Sequence, residues 1–163
     1  DAITGFFYVF AAILVFAAVR VITASNAVHA ALYLVLSFFS ASALWMLLEA
    51  EFLAISLVLV YVGAVMVLFL FGTMLTRARI GAESDLNNSY KKLGIPVGLI
   101  MLVAMGLALT DSFGDERLPE SATVVSTQEI SDQIFGPYLL PFWALSFVLL
   151  AAVVGAIVLA RKD

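Results

Sequence analysis

Residues 52–74 read FLAISLVLVYVGAVMVLFLFGTM, a run without charge or proline. As a helix it is about long enough to cross the ~30 Å hydrocarbon core of a bilayer. At its centre, Tyr61-Val62-Gly63-Ala64 sets a phenol beside the residue type with the freest backbone. Any moving part of this chain is expected here, because no nucleophile–base pair, metal cluster or nucleotide loop is found elsewhere in the sequence.

The rest of the chain has the same character. Of 163 residues, 64% are hydrophobic and 12% charged, against about a quarter charged in a soluble domain. The apolar residues fall in long runs, so we expect an all-α integral membrane protein of five transmembrane helices. They are placed at about 3–22, 27–48, 52–75, 93–110 and 138–160, in a single membrane domain over 1–163. The absence of cysteine excludes disulfides, thiolate metal sites and iron–sulfur ligation by this chain. The single histidine argues against a histidine-based metal site. The first apolar run lacks a basic leader region and is read as a span.

Local signals mark the joints. Ser25 or Asn26 is suited to cap the second span. Ser37, Ser40, Ala41, Ser42 and Ala43 form a small-residue patch fit for close helix packing. Glu49 and Glu51 bracket a turn so short that spans two and three should be antiparallel neighbours. A polar connector occupies 81–92, and Pro96 is expected in the first turn of span four, where it is tolerated. An acidic loop, 111–137, is expected outside, with a short extended piece at 123–125 and a surface helix at 130–135. Tyr138 and Trp143 are interfacial anchors for span five. Arg20, Arg77, Arg79, Lys91, Lys92, Arg161 and Lys162 follow spans one, three and five, whereas the other side holds only Arg117. Basic residues stay on the cytoplasmic side, so the N-terminus should be outside and the C-terminus cytoplasmic.

No ionisable residue falls in the middle of a span, and such residues are the usual mark of a proton path. The chain should therefore pack other subunits, or control a path that they line. Tyr61 is either a structural hydrogen-bonding residue or part of a hinge. Gly63 weakens a helix by roughly 1 kcal/mol relative to alanine; it serves either close packing or a π-bulge, one extra residue in a helical turn. Val58, Val60, Val62, Val65 and Val67 are β-branched and lower the helical preference further. His29 reads most simply as a packing residue, Glu49 and Glu51 as solvated interface residues, and the methionines as core filling.

Two motifs carry a resemblance. SNAVHAALYL at 25–34 and VYVGAVMVLF at 60–69 make the chain similar to the J-subunit family of bacterial respiratory complex I, the proton-pumping NADH:quinone oxidoreductase. The sixth NADH dehydrogenase subunit of mitochondria is the counterpart. The layout of five spans with a long fourth loop extends the resemblance over essentially the whole chain. It departs at Ala27, where many relatives have proline, and at Leu57, where some bacterial relatives have glutamate.

The resemblance implies a π-bulge in the third span whose formation and relaxation couple quinone reduction to proton movement. The hinge residues by motif would be Tyr61, Val62, Gly63, Ala64, Val65, Met66 and Val67. It implies no catalytic, cofactor-binding or metal-ligating residue in this chain. NADH, FMN, the iron–sulfur clusters and quinone would belong to partner subunits of an oxidoreductase. The partners implied are the A, H and K subunits and the neighbouring antiporter-like subunits, within a lipid bilayer and without nucleic acid. The location implied is the bacterial inner membrane, ahead of the mitochondrial one. Three functional readings follow. The chain is a non-catalytic conformational gate of complex I. It is a structural spacer of that complex or of a relative fed by ferredoxin or another donor. Or it is a lone transporter, against which the missing mid-membrane charges and internal repeat both count.

Overall fold

The computed structural model describes residues 1–76, 87–113 and 125–161, with side chains omitted at 87–92 and 112–113. Every element among them is helical. In chain order these are α1 (Ala2–Thr23), α2 (Ala27–Leu47), α3 (Glu51–Ser56), a π-helical segment (Leu57–Met66), α4 (Val67–Leu75), α5 (Asn87–Phe113), α6 (Thr127–Phe135) and α7 (Leu139–Ala160). Five stretches are long and apolar enough to cross a membrane: α1, α2, the composite third span Glu51–Leu75, the Leu93–Asp111 part of α5, and α7.

Spans one, two and three pack on one another, with α2 in the middle. Lipid chains are as apolar as leucine, so span association rests on close packing and interhelical hydrogen bonds. The buried residues follow that rule. Apart from Leu57 and Met66, all of those described are alanine or serine: Ala17, Ala31, Ser37, Ser40, Ser42 and Ala54. The serines of the expected patch are thus at the packing surface. Ser37 and Ser40 donate back to the carbonyls of Tyr33 and Leu36 on their own helix, at 2.9 and 2.8 Å. Ser42 instead donates across to the carbonyl of Ala54 in span three, at 2.8 Å and fully buried.

The joint between spans two and three is built by backbone. Ala50 N–H donates to the Trp45 carbonyl and Glu49 N–H to that of Met46, the two crossed bonds of a Schellman cap. This cap needs a left-handed residue, and Glu49 supplies it with φ 61°. Glutamate pays roughly 1–2 kcal/mol for that conformation, which glycine adopts freely. Glu49→Gly is therefore expected to stabilise the subunit by about 1 kcal/mol, seen as a higher thermal midpoint in detergent. An unchanged or lower midpoint would show that the Glu49 carboxylate contributes more than its backbone costs. At the other end of α2, Asn26 is the cap: its Oδ1 accepts from Val28 N–H at 3.0 Å.

Span four differs from its sequence reading. The described helix reaches back to Asn87, before the apolar window, so Pro96 lies in its interior and not in its first turn. The polar residues ahead of Leu93 continue the helix outward, and Pro96 leaves one carbonyl of the preceding turn without its N–H. Spans four and five bury none of their apolar windows. Ahead of span five, α6 is capped by Ser126, whose Oγ accepts from Glu129 N–H at 3.3 Å. It turns sharply into α7 at Gly136, where an added Cβ would stand 2.6 Å from the Asp132 carbonyl oxygen. Phe135 and Phe142 then pack edge to face across the corner, 5.4 Å between centroids. The expected extended piece at 123–125 lies mostly outside the described residues, as do Arg77, Arg79 and Arg117.

Candidate functional site

The third span starts as α-helix, changes to π pairing at Leu57 and returns to α pairing at Val67. Tyr61, Val62, Gly63, Ala64, Val65 and Met66 all lie inside the π segment, and Val67 is the first α residue after it. The irregularity is longer than the single bulge expected from the Tyr-Gly motif. β-branched residues and a glycine fill its middle, where α preference is weakest. A Cβ on Gly63 would meet the Val58 carbonyl at 3.4 Å, an ordinary contact. The segment therefore does not require glycine for space; glycine acts there through backbone preference.

The pitch decides which residues face α2. Leu57 and Met66, at the two ends of the segment, are 6% and 3% exposed. They are nine positions apart. At 3.6 residues per turn, nine positions place two side chains on opposite faces. At the roughly 4.4 residues per turn of a π-helix, nine positions make about two full turns. The wider pitch brings Leu57 and Met66 to one face, and among the described residues α2 is the main helix from outside span three that packs on this segment. In a continuous α-helix Ala64, seven positions from Leu57, would take the place of Met66.

Two contacts with α2 frame the segment. The Ser42–Ala54 bond holds span three just before the π pairing begins. Within the segment, Tyr61 leans on Phe38 of α2 with ring centroids 5.5 Å apart and planes tilted by 51°. The phenol is half exposed, and among the described residues its hydroxyl has no hydrogen-bond partner. Beyond Val67 the helix opens outward: Val65, Leu68, Phe69, Gly72, Thr73 and Thr76 line an apolar groove of about 530 Å³. The span thus has a first half pinned by the Ser42 bond, a wide middle, and a second half that still touches α2 but is mostly exposed.

Phe38 and the Leu57–Met66 pairing are absent from the sequence reading. Ser42 was legible only as part of a small-residue patch. Leu57 and Met66 look unrelated at α spacing, so no periodic signal links them. His29, read as a packing residue, is instead exposed on α2. Among the described residues there is no group of three or more His, Cys, Asp or Glu that would hold a metal.

Known proteins are similar in sequence to this chain along nearly its full length. NADH-quinone oxidoreductase subunit J of Rhodobacter capsulatus is 38% identical, over 96% of this chain and 80% of the relative. The subunit of the same name in Pseudomonas aeruginosa is 37% identical, over 96% of both chains. F(420)H(2) dehydrogenase subunit J of Methanosarcina mazei is 36% identical, over 98% of this chain and 92% of the relative. Residues 17–159, which include the whole π segment and its α2 contacts, match the profile of NADH-ubiquinone/plastoquinone oxidoreductase chain 6. The chain belongs to the NADH-ubiquinone/plastoquinone oxidoreductase chain 6 family.

Proposed function

We propose that this chain is a membrane-arm subunit of a proton-translocating quinone oxidoreductase and that its third span is a gate. The observation that carries the reading is the phase of Leu57 and Met66. Quinone chemistry in a neighbouring subunit biases the segment between π and α pairing. The pinned half before Leu57 stays in place, and the half beyond Met66 turns by up to about half a revolution, from the difference in pitch. That turn exchanges Met66 for Ala64 at the α2 face and re-aims the Val65–Phe69 surface. A surface of valine, leucine and phenylalanine controls water by wetting and dewetting, so a gate of this kind needs no charge of its own. Proton-carrying groups, NADH or another donor, flavin, iron–sulfur clusters and quinone then belong to partner subunits. The A, H and K subunits and the antiporter-like subunits are the proposed neighbours.

The bacterial inner membrane is the proposed location. The N-terminus is placed outside, because the basic residues cluster after spans one, three and five. The electron donor is left open by the relatives' own names, since one of them is an F(420)H(2) dehydrogenase subunit.

The chain has no cysteine, which makes a labelling test clean. Single replacements Leu57→Cys, Ala64→Cys and Met66→Cys in the assembled complex are treated with a membrane-permeant maleimide, at rest and during turnover. The gate predicts that reactivity at 64 and 66 moves in opposite directions on turnover while 57 stays protected. A static spacer predicts three unchanged reactivities, and that result would end the gating reading.

A further inference from the structure

A second feature lies at the opposite end of α2 from the Glu49 turn. Arg20, near the end of α1, sits over the ring of Tyr33 with its guanidinium carbon 5.1 Å from the centroid. Phe16, one turn earlier on α1, meets the same ring edge-on, 6.4 Å between centroids and at 81°. Tyr33 thus takes two contacts from α1, and its ring holds the guanidinium at the level where α1 ends. Among the described residues no carboxylate pairs with Arg20. Glu49 and Glu51 are at the far end of α2, about 30 Å away at helical rise.

Beside this cation runs a groove of about 280 Å³ lined by His29, Leu32, Tyr33 and Leu36. These positions follow the i, i+3, i+4, i+7 pattern of one helix face and span about 10 Å of helix. The upper end offers the His29 imidazole, the Tyr33 hydroxyl and the Arg20 guanidinium. The lower end offers only Leu32 and Leu36, both exposed. One cation, Arg20, with neighbouring polar side chains at the interface above an aliphatic strip, matches a phosphate headgroup above an acyl chain.

We infer that the Arg20–His29–Tyr33 corner and the groove below it bind one anionic phospholipid, with the phosphate at Arg20 and an acyl chain along Leu32 and Leu36. Arg20 supplies charge and a forked donor suited to phosphate oxygens. His29 supplies a further donor, and Tyr33 keeps the guanidinium in position by cation–π contact.

The test uses the assembled complex reconstituted with phosphatidylglycerol that carries a photoreactive group in its acyl chain. Labelled peptides are mapped by mass spectrometry. Label is expected on 29–36, displaced by excess unlabelled phosphatidylglycerol but not by phosphatidylcholine or inorganic phosphate. Arg20→Gln should lower the label roughly fivefold, the usual weight of one basic residue at an anionic surface, and Arg20→Lys should restore most of it. Four outcomes would overturn the site: equal labelling with phosphatidylcholine, displacement by inorganic phosphate, unchanged label in Arg20→Gln, or capture of another subunit in place of lipid. Should Arg20→Gln fail to assemble, the lipid competition on the unaltered complex decides alone.

Discussion

Gly63→Leu in the assembled complex should leave electron transfer to quinone running while proton uptake per electron pair falls several-fold. Leucine favours regular helical backbone over glycine by roughly 1 kcal/mol, so it removes the most permissive backbone position from the segment. The first atom it adds is accommodated, because a Cβ at this position meets the Val58 carbonyl at 3.4 Å. Electron transfer and proton uptake are read together in proteoliposomes, and native gels check assembly. Full proton uptake in an intact Gly63→Leu complex would mean that the pitch of span three does not govern coupling.

Ala54→Leu should instead remove the intact complex from native gels. Ala54 is completely buried, and its carbonyl accepts the Ser42 hydroxyl that ties spans two and three together. A larger side chain there overpacks the joint, at about 1–3 kcal/mol, and separates the bonded pair, at about 0.6–1.7 kcal/mol more in a membrane. Ser42→Ala loses only the second quantity and should assemble at a modestly lower thermal midpoint. If Ala54→Leu assembled normally, the anchor assigned to the first half of span three would be wrong. The two substitutions thus separate the two roles proposed for span three: loss of assembly is expected from the residue before the π segment, and loss of coupling from the one within it.

Much of the architecture could be read from the residues alone. The five apolar runs announce five spanning helices, since an uncharged stretch of that length has few other homes. The serine patch on α2 announces close packing, and Asn26 announces its helix start. Pairing geometry is harder to read. The Tyr61–Gly63 motif signalled a weak point in the helix, but the length of the π segment depends on Leu57 and Met66 both finding α2. That is a tertiary condition with no local signature. Pro96 misled because apolar character, and not polar helix extension, was used to place the start of span four. A lone histidine such as His29 says nothing about which face its neighbours occupy; Tyr33, Arg20 and Phe16 come together only where α1 and α2 meet.

The Schellman cap at Glu49 and the Ser42 bond leave span three fixed at one end and mostly exposed at the other. A helix held in this way cannot drift by small rotations. Its backbone in lipid has no water to bridge half-made pairs, and each unsatisfied group costs several kcal/mol. Pairing at i+4 and pairing at i+5 are both complete; the angles between them are not. On the gating proposed above, the span would act as a detent with two seats: a weak push from a neighbouring subunit would leave no trace, and a sufficient one would move the far end by a full step. Such an element would turn a graded chemical signal into an all-or-none mechanical one.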